Sequence, residues 1–432
     1  MDKILRLPYY GVIALLIYMP FHIFLSQWIS SLTGGLDAWK VGKDVLLLTL
    51  TSLAVGLVWF KQGFKNKLFW AFVAGSLAYL AIHFTVWFGN PGSDSEAALL
   101  GTAYNTRLMA FAILGWAAAL TYPGKLELKK IFTAVIAVSS LVALLGIIQY
   151  FLPKDFMAHF GYSLERGVRP TFFIDSKPDF PRIMSTLRDP NSLGAYLIIP
   201  ITLLSGLWLK RPKGRMMFSG LLLLHGLALF LTFSRSAWLG AFVSVLALAF
   251  WSYKKQTTKF LRKYWAAVTG VVIVILVGGF LLRDQYVVQN YIFHSDENTK
   301  MTDSNNLHVD FAQQGLEGIA DMPLGHAPGT AGLVSIQTDK VVLTENYFIQ
   351  IAYEVGIQGL ILLLALMFFL IKLLYERNDF YARALITSFA GITLCAMLLH
   401  TWSNEAVAAE WWLLAGLLVG LNRRNSSRPR VR

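Results

Sequence analysis

Leu343-Thr-Glu-Asn-Tyr-Phe-Ile-Gln-Ile-Ala-Tyr-Glu-Val-Gly-Ile-Gln-Gly359 opens an apolar run that continues to residue 374. Runs of about 17–25 apolar residues mark membrane-spanning helices. The head of this one is polar. Asn346, Gln350, Tyr353, Glu354 and Gln358 recur at helical spacing, and at about 100° per residue they form one stripe. Lipid offers acids and amides no partners, so the stripe faces protein or a watery cavity. A charge at bilayer depth costs roughly 2.5–3.5 kcal/mol on insertion scales, which makes such groups functional candidates. The competing explanation is a polar seam between helices. Glu345, placed in the first turn near the water boundary, reads as a base or as an exposed acid favoured by the helix N-terminus.

Composition extends the membrane reading to the whole chain. Of 432 residues 15% are charged, against about 25% in soluble domains, and the mean hydropathy is +0.54. The net charge of +13 would suggest nucleic acid in a soluble protein; here basic residues belong in short cytoplasmic loops. Cys395 is the sole cysteine, which excludes an internal disulfide and a cysteine-rich metal site. Lys3 and Arg6 precede an apolar run from Tyr9 without a convincing cleavage pattern, so that run reads as a retained first helix.

Twelve apolar runs are expected to be helices, at roughly 9–28, 44–60, 67–88, 99–121, 130–152, 190–208, 216–232, 236–253, 264–282, 343–374, 384–402 and 406–421. With the N-terminus inside, the short inner segments hold Lys61, Lys65, Lys67, Lys129, Lys130, Lys210, Arg211, Lys213, Arg215, Lys372, Arg377 and Arg383, and the tail 422–432 adds arginines. This bias predicts both termini cytoplasmic. The expected fold is thus an all-α polytopic membrane protein, one transmembrane domain over 1–432, with about twelve transmembrane helices. Two large extracytoplasmic loops remain, 153–188 and 283–342, the latter between helices nine and ten. The first holds Phe156, Phe160, Tyr162, Phe172, Phe173 and Phe180, too aromatic for a disordered segment, and is expected to pack on the membrane surface or over a cavity. The second holds an amphipathic piece, 307–319, capped by Ser304 or Asp303, and a glycine- and proline-punctuated turn from Asp321 to Gly332.

Two arginines sit at outer helix ends, against the positive-inside trend. Arg188 precedes the helix-starting run Asp189-Pro190-Asn191, and Arg235 lies in the tight turn between segments seven and eight. A guanidinium binds phosphate bidentately and stays charged; the alternative is snorkelling to lipid headgroups. Arg107, inside segment four, either reaches the same site or pairs structurally with an acid. His308 and His326 are loop histidines. The eight histidines lack metal-binding spacing, so no metal is expected, and there is no phosphate-cradling glycine loop.

Four pieces together are similar to the O-antigen ligase and O-antigen polymerase membrane family. They are Leu187-Arg-Asp-Pro-Asn-Ser-Leu-Gly-Ala-Tyr196, Thr232-Phe-Ser-Arg-Ser-Ala-Trp-Leu-Gly240, Pro323-Leu-Gly-His-Ala-Pro-Gly-Thr330 and Glu345-Asn-Tyr-Phe-Ile-Gln-Ile-Ala-Tyr-Glu-Val-Gly-Ile-Gln-Gly359. The resemblance implies glycosyl transfer on the extracytoplasmic face of the bacterial inner membrane, from an undecaprenyl-diphosphate-linked glycan to a sugar hydroxyl, with no cofactor, metal or nucleotide. The hydroxyl belongs to lipid A core for ligases and to another lipid-linked glycan for polymerases. On that reading Arg188 and Arg235, with Arg107, stabilise the leaving diphosphate, and a base near the reacting carbon activates the hydroxyl. Asn191, Asn346, Gln350 and Glu354 support the site or wall its cavity. The chain departs from the pattern at Glu345, where family ligases typically carry a histidine, and at His308, where they often carry an arginine. The swapped pair Glu345 and His308 is expected to supply base and diphosphate contact. A transporter or flippase of a lipid-linked glycan is the alternative from another class; inverted repeats and broken midplane helices would mark it. A scaffold without catalysis is a third.

Overall fold

The computed structural model describes residues 3–122, 128–174, 180–253, 304–336 and 338–421, with the single positions 262 and 277; side chains of 304–308 are outside the description. Expected segment nine, the start of the second loop and the basic tail lie outside the described residues.

The first span is a 30-residue stretch, Ile4–Thr33, longer than the expected 9–28. It consists of α1 (Leu7–Tyr18), a 3-10 turn at Met19-Pro20-Phe21 and α2 (His22–Thr33). Then follow α3 (Leu36–Gln62), α4 (Lys67–Gly89), α5 (Ser95–Thr121), α6 (Leu128–Phe151), α7 (Pro190–Lys210), α8 (Arg215–Leu231) and α9 (Arg235–Ser252). After the undescribed stretch come α10 (Ser304–Asp321), α11 (Gly332–Ser335), α12 (Tyr347–Arg377), α13 (Phe380–Ala396) and α14 (Glu405–Leu421). Eight helices among the described residues are long and apolar enough to cross a membrane, and α8 and α13 are shorter apolar helices. The chain is a mostly helical, integral membrane protein.

Polar side chains start these helices. Asp189 accepts the Ser192 amide at 2.8 Å and Pro190 occupies the first turn of α7. Asp94 accepts the Ala97 amide at 2.8 Å to start α5, and Asn404 accepts those of Ala406 and Val407 at 3.1 and 3.2 Å to start α14. Such caps satisfy amides that a helix leaves unpaired, worth about 1 kcal/mol each.

Helices α5, α7 and α14 form the buried centre. Gly115, Gly416 and Gly420 bring α5 and α14 together: a Cβ on Gly416 would run into the Ala112 carbonyl, and one on Gly115 into the Leu413 carbonyl. Small residues allow this approach where no hydrophobic driving force acts between helices in lipid. Gly240 and Gly391 do the same for α9 against α13.

The loop 153–188 is not formless. It contains a 3-10 turn at Phe156–Phe160 and an antiparallel pair of two-residue strands, β1 (Phe172–Phe173) and β2 (Pro181–Arg182). Met157, Tyr162, Val168 and Met184 form a small core beneath it. Phe160 packs on Phe24 and Trp28 of α2 at ring distances of 5.0 and 5.7 Å, and Arg166 donates to the Gln27 side chain at 3.0 Å. The aromatics therefore anchor the loop to the end of the first span.

Candidate active site

The site gathers at the end of the bundle where α5, α7, α9, α12 and α14 begin. Its corner is the approach to α12. Glu345 is not in the first helical turn as expected. It precedes the cap, half-buried, with φ +42°, the left-handed region that a side chain rarely adopts. Asn346 caps α12 through the Phe348 and Ile349 amides at 2.9 and 3.1 Å, and its amide nitrogen donates to the Met397 carbonyl at 2.8 Å. One residue thus starts α12, ties it to the end of α13, and holds Glu345 in a conformation costing about 1–3 kcal/mol.

The expected polar stripe is not continuous, because α12 breaks at Val355 and Gly356 (φ −121° and +75°). The turn 323–330 fills the break. The His326 and Ala327 amides donate to the Tyr353 and Glu354 carbonyls at 2.9 and 3.1 Å, and the Ile357 amide donates to the Pro323 carbonyl at 3.0 Å. Gln358, across the break, donates to the Leu324 carbonyl at 2.8 Å instead of joining the stripe. The His326 ring stacks on Tyr353 at 4.0 Å, and burial pushes its imidazole below the ordinary value. Glu354 is fully buried and accepts from Asn105 at 2.6 Å, Gln350 at 3.2 Å and the Ala331 amide at 3.4 Å. Gln350 and Glu354 therefore clamp α5 and the turn to α12, the helix seam anticipated as the competing explanation.

The arginine motifs converge on the same end. Gly194 in α7 has no room for a Cβ, which would meet Ala237 at 2.6 Å and Ser234 at 3.2 Å, so the first turns of α7 and α9 touch. Asn191 accepts from Arg182 at 2.9 Å, and Arg182 also donates to the Thr232 carbonyl at 2.8 Å. Arg182, unremarked in the sequence reading, bridges both motifs. Backbone strain marks them too: Ser185 (φ 54°) precedes Arg188, and Phe233 (φ 48°) precedes Arg235. Ser185 is held there by the Gln149 side-chain oxygen Oε1, which accepts its amide at 2.8 Å. Arg188 lies within electrostatic reach of Lys40 and His400.

Arg107 takes the second of its two anticipated roles. Its guanidinium is held by Glu405 at 3.2 Å and by the Ser403 carbonyl, and it lies over the Tyr104 ring. Lys43 at 3.3 Å and His22 at 3.8 Å share the same carboxylate. Arg107 is thus committed to a buried ion cluster, a correction to its grouping with the diphosphate-binding arginines. His308 lies on α10, but its side chain is outside the description. The helix carrying it packs on α12: a Cβ on Gly315 would strike Ile349 at 2.5 Å, and one on Gly318 would strike Tyr353.

One site residue escaped the sequence reading. His400 follows α13, which ends at Ala396 and not at 402 as expected. Both ring nitrogens are buried without a hydrogen-bond partner among the described residues. Burial pushes its pKa down to about 4; the Glu345 carboxylate opposes this and the Arg188 guanidinium adds to it. The polar run His400-Thr-Trp-Ser-Asn-Glu405 was the available signal, ending the apolar run earlier than hydropathy alone suggests.

A family profile described as O-antigen ligase matches residues 220–364, from α8 through the break in α12. A curated protein named O-antigen polymerase, from Salmonella muenchen, is 26% identical over 280 residues. That match covers 63% of this chain and spans 65% of the relative's length. The profile takes in the Arg235 turn, α10, the 323–330 turn and Glu345, which are the elements that meet at the open end of the bundle. Over these residues the chain is similar to the O-antigen ligase and polymerase family.

Proposed function

We propose that the chain transfers a glycan from an undecaprenyl-diphosphate lipid to a sugar hydroxyl, in the manner of an O-antigen ligase, on the extracytoplasmic side of a bacterial inner membrane. The observation that carries this reading is geometric: the Arg188 and Arg235 motifs pack together where Gly194 meets Ser234 and Ala237, and Asn346 ties the Glu345 corner to the turn that carries His400. This supports a site shared by the proton acceptor and the anion-binding groups. Glu345 removes the hydroxyl proton, with His308, on the α10 helix that packs on α12 through Gly315 and Gly318, as the second candidate. Arg188 and Arg235 meet the diphosphate as charge develops on it. Fixed cations at that point stabilise the transition state without reorganisation. The first turns of α7 and α9 add helix dipoles favourable to an anion. Asn346, Gln350, Glu354 and Asn191 keep the elements in register.

Polymerisation is the second reading, favoured by the name of the Salmonella muenchen relative. The two differ only in acceptor. The test is the purified full chain in vesicles with an undecaprenyl-diphosphate glycan, offered either lipid A core or a second lipid-linked glycan. Release of undecaprenyl diphosphate with the first supports ligation, and a product ladder with the second supports polymerisation. Arg188→Ala and Glu345→Gln are expected to lower turnover by about 100-fold or more. No release with either acceptor would sink the enzyme reading and leave transport of the lipid-linked glycan to be measured.

A further inference from the structure

His400 has no role in the chemistry above, yet its surroundings are specific. Buried polar groups are almost always paired, and an orphan in a native structure asks for an explanation. Here both ring nitrogens are orphans. The residue sits in the turn between α13 and α14, whose backbone is fixed by the Leu398 amide on the Cys395 carbonyl and the Ser403 amide on the His400 carbonyl, each at 3.0 Å. The bond from Asn346 to the Met397 carbonyl at 2.8 Å joins this turn to the Glu345 corner. Glu345 is half-buried while the His400 nitrogens are enclosed, and the Glu345 carboxylate acts electrostatically on the imidazole.

We propose that His400 is a positioning residue for Glu345: the neutral imidazole donates its ring N–H to the carboxylate when an acceptor is bound and aims the other carboxylate oxygen at the acceptor hydroxyl. This rests on the transferase reading above. In the step so assisted, the hydroxyl oxygen bonds to the anomeric carbon and its proton passes to Glu345. The bond from that carbon to the phosphate oxygen breaks, and its electron pair stays on the diphosphate beside Arg188. Catalytic hydrogen bonds are commonly long before substrate binds and tighten in the complex. Burial and Arg188 keep His400 uncharged at neutral pH, the form with one N–H to give. The Glu345 carboxylate and the Arg188 guanidinium are the charged groups among the described residues that act on it.

The test uses the full chain in vesicles, the undecaprenyl-diphosphate glycan and the acceptor that wild type uses. His400→Ala is expected to lower kcat about 100-fold with KM for the donor unchanged, because a misaimed base costs rate rather than binding. The acid limb of the pH profile should move to higher pH, since the carboxylate loses a donor that favours its charged form. His400→Asn, which keeps a donor and a small side chain, should recover part of the rate. In a Glu345→Gln background, His400→Ala should add little, whereas a structural defect would add its full effect. Full additivity, or wild-type kcat in His400→Ala, would overturn the proposal while leaving the transferase reading intact. A wild-type chain that turns over no acceptor overturns that reading and this proposal together.

Discussion

At Glu345 and His400 the chain accepts two local costs, a left-handed backbone and a buried imidazole without partners. Four of the non-glycine residues with positive φ, Ser185, Phe233, Ala327 and Glu345, fall in or beside the four motifs. Strain of this kind persists only where surrounding structure over-determines it, as Asn346 and Gln149 do here, and it concentrates at functional sites. His400 makes the cost measurable. Its folded pKa is about 4, below the ordinary 6.5, so the folded state disfavours the protonated form. The neutral imidazole contributes fully above about pH 6.5, and stability is lost as pH falls toward 4. The shift corresponds to on the order of 3 kcal/mol when the residue is fully protonated. Thermal unfolding of the purified protein from pH 7 to pH 4.5 is expected to show a steeper acid loss in wild type than in His400→Asn. Equal slopes would mean that the imidazole is not held neutral by the fold.

The break in α12 governs the next scale. Glycine at 356 has φ +75°, and a Cβ there would meet the Leu324 carbonyl oxygen at 2.5 Å. Gly356→Ala therefore strains the backbone and pushes out the 323–327 turn. It is expected to destabilise the protein by about 1–3 kcal/mol and to lower transfer, because the same turn carries the Ala331 amide onto Glu354. Unfolding curves and turnover for Gly356→Ala beside Gly92→Ala, where a Cβ meets nothing, would check this; equal behaviour would show that the break is dispensable. Sequence periodicity locates α12 but not its break, since glycine is ordinary in membrane helices and the groups that satisfy the freed carbonyls come from a distant turn. The end of α13 was hidden for a related reason: Met397-Leu-Leu399 prolongs the apolar run after the helix has stopped. What hydropathy does report is where lipid contact is possible, and so the helices of the described chain lie close to their apolar runs. Side-chain commitments such as Arg107 to Glu405, 298 positions apart, leave no periodic trace.

Across the whole molecule the cations divide into two sets. Lys61, Lys65, Lys67, Lys210, Arg211, Lys213, Arg215 and Arg377 lie at the end of the bundle where α3, α5 and α7 finish; Lys61 donates to the Thr121 carbonyl at 2.5 Å, at the close of α5. The other set, Lys40, Lys43, Arg166, Arg182, Arg188 and Arg235, gathers toward where those helices begin, with Arg107 midway along α5. Cations favour the cytoplasmic side in short connecting segments, so the first set is expected to mark the cytoplasmic end. On that expectation the second faces outward, where charge alone would not place it, and several of its members are fixed by specific partners such as Gln27, Asn191 and Glu405. Fixed outward cations suit a lipid diphosphate presented from the outer leaflet. The sole cysteine is buried, its Sγ 3.0 Å from the Ser236 carbonyl, so Cys395→Ser gives a background for labelling. Single cysteines at Glu165 and Ser95, both exposed at the site end, should react with a membrane-impermeant maleimide in cells whose inner membrane is intact. Cysteines at Lys65 and Lys213, exposed at the opposite end, should react only after that membrane is permeabilised. The reverse pattern would put the pocket in the cytoplasm, away from an outward-facing donor, and the transfer chemistry assigned to Glu345 and Arg188 would fall with it.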